Sequence, residues 1–135
     1  MSLPRRRFWL TNSMPNALYA ILRHEAIPQS HFDVMFQTDV GSKLVTWRSP
    51  TWRPQGIVGL EKIGDHRQAY LTFEGELSGN RGTVCRVEQG ICLAERTADG
   101  WTIELRPIPA GERVVLRIFK SDRQWKGKME PPQVP

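Results

Sequence analysis

Short runs of alternating hydrophobic and polar residues, separated by turn signals, make up most of this chain. Residues 31–38 alternate in this way, and residues 43–47 follow after an Asp-Val-Gly turn at 39–41. A period of two is typical of a strand with one face against a core. The two runs therefore predict a hairpin with one apolar side.

The same reasoning predicts further strands downstream. Residues 16–24 fit either a short helix or an opening strand, and the sequence leaves both readings open. Strands at roughly ten-residue spacing with few helices favour a small antiparallel barrel or sandwich, and we predict a mainly β fold with one compact antiparallel β-barrel. The predicted downstream strands cover residues 69–77, a hairpin of 83–87 and 91–95 across Glu88-Gln89-Gly90, then 101–105, and a last strand at 113–119.

Length and composition favour one domain over residues 1–135. The chain is long enough for one hydrophobic core, and no segment between the predicted strands is long enough to act as a linker. Hydrophobic residues make up 39% of the chain, but no apolar run approaches the roughly 18 residues that a membrane span needs. We expect a cytoplasmic protein that does not associate with membranes.

The two cysteines, Cys85 and Cys92, would face each other across the predicted hairpin at 83–95. Disulfides are typical of secreted proteins, and the chain carries no sign of secretion. We therefore predict two free thiols that serve in packing.

Basic residues outnumber acidic ones, with a net charge of +5, and they concentrate near the two ends of the chain. Both clusters are suited to phosphate contacts, although solvated basic termini are equally compatible with the sequence. The clusters are Arg5-Arg6-Arg7 and the set Lys120, Arg123, Lys126 and Lys128.

The chain has three histidines, and their neighbours suggest chemistry. His31 and Asp33 are two residues apart in a predicted strand, so their side chains share a face and can chelate a divalent ion. His66 and Tyr70 would share the polar face of the strand at 69–77 if that strand began early. A lone histidine is, however, more often a structural residue than a ligand.

Five short motifs occur along the chain in a particular order. Each is weak alone, but together they resemble the 3′-phosphoesterase domain of bacterial DNA ligase D, over about residues 20–119, with basic extensions at both ends. The chain is similar to a small standalone relative of that domain. The motifs are His24 with the run His31-Phe32-Asp33-Val34-Met35-Phe36, the strand 43–47, Asp65-His66 with Tyr70, Phe73-Glu74-Gly75, and Gly82-Thr83-Val84.

The resemblance implies a barrel-like β fold and a manganese-dependent enzyme that trims 3′ ends of DNA. Such an enzyme removes a 3′ phosphate or a 3′ ribonucleotide from a primer–template before sealing, with a repair ligase or polymerase as its partner. By the same resemblance His24, His31 and Asp33 bind Mn²⁺ or another divalent ion, and His66 and Tyr70 hold the phosphate. Imidazole and carboxylate ligands suit a first-row divalent ion.

The chain departs from the family pattern at two places. Met35 stands where the family has a phosphate-binding arginine, and a thioether cannot replace a guanidinium. The gap between His24 and His31 is one residue longer than in the family. Because of these departures a catalytically weak or inactive relative, acting as a nucleic-acid or protein binding module, is the alternative function. The cations that could replace the missing arginine are Arg67, Arg48 and Arg81.

Overall fold

Nine antiparallel β-strands form one sheet in a computed structural model that describes residues 16–26, 29–77 and 79–132. The basic run at residues 5–7 lies outside this described part. The strands are β1 (Ala17–Glu25), β2 (His31–Gln37), β3 (Leu44–Ser49), β4 (Val58–His66), β5 (Gly75–Glu76), β6 (Thr83–Thr97), β7 (Gly100–Pro107), β8 (Val114–Ser121) and β9 (Gln124–Glu130).

The sheet closes into a barrel of eight strands. The order β1-β2-β3-β4-β9-β8-β7-β6 returns to the start because β6 also pairs with β1, and β5 lies beside β6. This confirms the predicted fold class, an antiparallel β-barrel with very little helix. In the described part of the chain, the helical structure is one 3₁₀ turn, Gln68–Leu71, and no helix there has the length and apolarity of a membrane span.

The interior of the barrel is filled by buried apolar side chains from six of its strands. At its centre Trp47 is 1% exposed and meets Trp125 edge to face, with 4.8 Å between ring centroids. Alternation places every second residue of a strand inside the barrel. The buried members are Tyr19, Ile21, Val34, Phe36, Trp47, Cys92, Ile103, Leu105, Val114, Leu116 and Ile118.

A second apolar cluster lies on the outside of the barrel wall, where β1, β2, β3 and β6 meet. The segment 70–77 crosses this face and covers it, so β2 is buried on both faces. The prediction of a hairpin with a single apolar side is therefore wrong for β2. The outer cluster contains Ala20, Leu22, Met35, Leu44 and Val84, covered by Tyr70, Leu71, Phe73 and Leu77.

The opening segment is a strand, β1, and the helical alternative for residues 16–24 is wrong. The predicted hairpin at 83–95 is also wrong, since these residues form the single strand β6. Gly90 is not a turn residue: it pairs with Tyr19 of β1 and with Pro107 of β7, where β6 passes from one neighbour to the other. Cys85 and Cys92 lie seven residues apart on this strand as free thiols, as predicted. The predicted packing role fits the buried Cys92 and is wrong for Cys85, which is exposed.

The predicted strand at 69–77 is wrong as well. Those residues form the 3₁₀ turn, the two-residue β5 and the covering segment, so their alternating apolar side chains pack on the outer cluster instead of on a neighbouring strand. Two strands were not predicted, β4 and β9, and β9 follows the strand that was expected to be the last. Both are rich in charged residues and glycine, which hides their alternation.

Candidate metal centre

Three of the predicted site residues lie side by side on the outer wall of the barrel. His24 of β1 is the direct register partner of His31 of β2, and Asp33 follows two residues later on the same face. Cross-strand partners share a face in an antiparallel pair, so the register alone brings both imidazoles beside the carboxylate.

The ligand atoms of the three side chains lie within 4.8 Å of one another. His24 Nδ1 is 3.1 Å from His31 Nε2, and His31 Nε2 is 3.3 Å from Asp33 Oδ1. His24 Nδ1 is 4.0 Å from Asp33 Oδ2. Bonds of about 2.0–2.2 Å to one ion place neighbouring ligand atoms roughly 3.0–3.5 Å apart. The two short separations fit one shared ion.

Hydrogen bonds to the backbone orient both rings. His24 Nε2 donates to the Arg81 carbonyl oxygen at 2.6 Å, which leaves a lone pair on Nδ1 of the neutral ring. The His31 ring also bonds the backbone of Gln29, while its Nε2 faces the cluster. Burial lowers the pKa of His31, which favours the neutral imidazole, the form that binds metal ions.

Asp33 carries a buried acceptor with no hydrogen-bond partner. The residue is 5% exposed, and among the described residues no group donates a hydrogen bond to its Oδ1. A buried carboxylate without a partner is costly unless a cation compensates it. Two imidazoles and one carboxylate suit Mn²⁺ or a similar first-row divalent ion, so these residues fit the metal that the resemblance implies.

A cavity of about 790 Å³ opens beside the two histidines. Arg48 of β3, the register partner of Asp33, lines it from the neighbouring strand. Its Nε is buried without a hydrogen-bond partner among the described residues, and the nearest carboxylate, Glu61, is 4.0 Å away from Nη1. A guanidinium with unused donors therefore lies next to the candidate metal ligands.

Met35 does not reach the cavity. It is fully buried in the outer apolar cluster, two residues beyond Asp33. Of the three cations considered as its replacement, Arg48 and Arg81 line the cavity, whereas Arg67 is exposed and precedes the 3₁₀ turn. Position 35, where the resemblance places an arginine, is a packing position in this chain.

His66 and Tyr70 contact each other, with ring centroids 5.0 Å apart, but neither lines the cavity. His66 ends β4 and is the register partner of Leu44, four residues along β3 from Arg48. At about 3.3 Å per residue this is roughly 13 Å along the strand. Tyr70 packs on the outer apolar cluster. His66 and Tyr70 therefore lie beside each other but away from His24 and His31.

Some residues of the site were not predicted. The backbone of Gln29 and the side of β4 formed by Gly59 and Glu61 line the cavity. A backbone acceptor leaves no signal in a sequence, and the β4 residues could not be placed because that strand was not predicted.

Comparison with protein families and with curated proteins identified no relative of this chain. No protein-family model matches the chain, and no curated protein matches it significantly. The likeness to the ligase D phosphoesterase domain therefore rests on the order and spacing of the motifs.

Proposed function

We propose that this protein is a metal-dependent phosphoesterase that processes 3′ ends of nucleic acid, removing a 3′ phosphate or a 3′ ribonucleotide during DNA repair. The observation that carries the proposal is the convergence of His24, His31 and Asp33, whose Oδ1 accepts no hydrogen bond among the described residues, at the wall of one cavity. The motif order supports the substrate class, and the net charge of +5 suits a polyanion.

The chain supplies three roles in this reaction. His24, His31 and Asp33 would hold Mn²⁺ or another divalent ion, which when bound polarises a phosphoryl oxygen and offsets its developing charge. Arg48 donates its unused guanidinium hydrogens to the non-bridging phosphate oxygens, the part that the family gives to the residue at position 35. The roles that the resemblance gives to His66 and Tyr70 stay predictions.

One assay tests the proposal: product release from a primer–template carrying a 3′ phosphate or a 3′ ribonucleotide, with and without Mn²⁺. The native chain is expected to release product only with a divalent ion. His31→Ala and Asp33→Ala are expected to lower the rate at least about 100-fold, because each removes a metal ligand. Asp39→Ala, a carboxylate removed from the exposed turn after β2, is the matched control and keeps the native rate.

A second candidate function, a binding module without catalysis, is favoured by the position of His66 and Tyr70 away from the cavity. Far-UV circular dichroism establishes that each variant is folded. If the folded native chain releases no product with Mn²⁺, Mg²⁺, Co²⁺ or Zn²⁺ but still binds the primer–template, the phosphoesterase proposal is wrong and the binding module stands.

A further inference from the structure

The cavity beside the histidines reaches Gly59 of β4, which forms part of its lining. Gly59 and Glu61 share the outer face with Arg48 and Asp33, because the register pairs Glu61 with Arg48 and Arg48 with Asp33. Gly59 is exposed, and a Cβ atom added to it would meet nothing within 4 Å. Position 59 therefore leaves a gap between side chains on the side of the next strand, β9.

Beyond this gap the outer face is basic. Lys126 of β9 is the register partner of Gly59 and of Phe119 on β8. Lys128 lies two residues further on the same face, opposite Arg117. We call the surface formed by Gly59, Lys126, Lys128, Arg117 and Phe119 the basic groove. The distance from β2 to β9 across the sheet is three strand spacings, or roughly 14 Å.

Charge in the basic groove is only partly neutralised. Glu130 pairs with Arg117 at 2.7 Å and with Lys128 at 3.4 Å, while Lys126 has no ion pair among the described residues. Three cations face one carboxylate, which leaves the surface with net positive charge. Such a surface suits a ligand with regularly repeated negative charges.

An aromatic ring lies at the far end of the groove. A second cavity, of about 270 Å³, is lined by Phe119 together with Trp101, Arg117 and Lys128. Aromatic rings beside cations are typical of surfaces that stack bases while binding the sugar–phosphate backbone. A run of acidic residues would use the cations but would have no group to stack on the ring.

We infer that the nucleic-acid strand leading to the reacting 3′ end lies in the basic groove. Its backbone phosphates contact Lys126 and Lys128, and a base several nucleotides from the end stacks on Phe119. This inference rests on the proposed function for the position of the 3′ end, since it is the cavity at His24 and His31 that fixes where the strand stops.

Binding measured without catalysis tests the inference. Fluorescence anisotropy would compare an oligonucleotide of about twelve nucleotides with a mononucleotide, both bearing a 3′ phosphate, in buffer free of divalent ions. For the K126Q/K128Q variant we expect at least 10-fold weaker binding of the oligonucleotide and unchanged binding of the mononucleotide. The slope of log affinity against log salt should fall by about 1.4, since each lost phosphate contact on a single strand accounts for about 0.7.

The matched control removes the same charge elsewhere on the β8–β9 hairpin. K120Q/R123Q alters the exposed hairpin end and is expected to change oligonucleotide binding less than 2-fold. An equal loss in this control, no loss in K126Q/K128Q, or equal competition by a poly-glutamate peptide would overturn the inference.

A second variant blocks the path instead of removing charge. Gly59→Trp fills the gap between the cavity and Lys126, and Gly64→Trp is its control, because a Cβ atom at position 64 on the same strand also meets nothing within 4 Å. Only Gly59→Trp should weaken oligonucleotide binding. If the native chain forms no 3′-end product but passes these binding tests, the phosphoesterase proposal is wrong and the inference that the basic groove binds nucleic acid is kept. If K126Q/K128Q forms product from long substrates at the native rate, the inference about the groove is wrong and the phosphoesterase proposal is kept.

Discussion

Glu88 uses both oxygens of its carboxylate as acceptors where the barrel meets the loop after β3. Tyr19 donates at 2.7 Å, Trp52 at 3.0 Å, and Arg53 through two nitrogens at 2.9 and 3.0 Å. Burial alone would raise the pKa of Glu88, but the hydrogen bonds from Arg53, Tyr19 and Trp52 hold it below its ordinary value. A satisfied network of this kind ties three chain segments together.

Glu88→Gln should therefore lower the free energy of unfolding by about 2–4 kcal/mol at about pH 7, since it removes the charge opposite Arg53 and replaces one acceptor oxygen by an amide NH2 that cannot accept a hydrogen bond. Glu130→Gln, which removes a half-exposed ion pair with Arg117, is the control, with a loss of about 0.5 kcal/mol or less. Urea unfolding measures both. A loss at Glu88 no greater than at Glu130 would contradict the structural role.

The pH dependence of this loss has a definite sign. A carboxyl whose pKa is lowered by folding contributes its full stabilisation above the unfolded value of about 4.3, and the contribution disappears as the pH falls through the folded value. The stability gap between the native chain and Glu88→Gln should therefore be largest near neutral pH and narrow below about pH 4. A gap that widened on acidification would show that the carboxylate is not the stabilising form.

At the scale of elements, the long strand β6 holds the barrel closed because it pairs with both β1 and β7. At Gly90 the pairing partner of β6 changes from β1 to β7. A Cβ atom added there would lie 2.0 Å from the Arg106 carbonyl oxygen and 2.9 Å from the carbonyl carbon. Both are backbone atoms of β7, so neither can move without displacing the strand.

Gly90→Ala is expected to cost about 2 kcal/mol or more, because β6 and β7 must separate to admit one methyl group. Gly64→Ala places the same methyl group on β4, where it meets nothing within 4 Å, and is expected to be neutral or stabilising by up to about 1 kcal/mol. Chemical denaturation of the two variants compares them directly, and equal stabilities would mean that β6 does not need its close approach to β7.

The sequence predicted those strands that alternate against the core, such as β2, β3, β7 and β8. It failed where alternation has another cause or is absent. Residues 70–77 alternate because they cover the outer cluster. In β4 the alternation is too short to recognise, because Val58 and Leu60 alternate with Gly59 and Glu61 but Lys62 and Ile63 break the pattern. At Gly90 the sequence predicts a turn, but the glycine is required by the close contact of β6 with β7.

At the scale of the whole molecule, barrel register decides which distant residues meet. The spacing of His31 and Asp33 was sufficient to predict their shared face, because both lie on one strand. Their proximity to His24 depends on the pairing of β1 with β2. This pairing could not be predicted, because the sequence of residues 16–24 is compatible with both a helix and a strand. The separation of His66 from the cavity follows from β4, which the sequence did not reveal.

A metal that binds only the folded chain should stabilise it. Mn²⁺ at 100 times its dissociation constant is expected to add about 2.7 kcal/mol, or roughly 5–10 °C in Tm for a chain of this size. Asp33→Ala should abolish the shift and, without metal, unfold at the native temperature or above it, because it removes a buried carboxylate whose Oδ1 accepts no hydrogen bond among the described residues. Differential scanning fluorimetry provides the readout, with Asp39→Ala as the variant that keeps the shift; an equal shift in Asp33→Ala would place the ion elsewhere.

None of the three candidate metal ligands belongs to the set of side chains that fills the barrel interior. An exchange of ligands on the wall therefore alters no packed volume within the lumen, and repacking the lumen need not disturb the wall as long as strand pairing is kept. This separation makes the protein a suitable scaffold for redesign, since metal preference can be varied through the wall while thermal tolerance is raised independently through the interior.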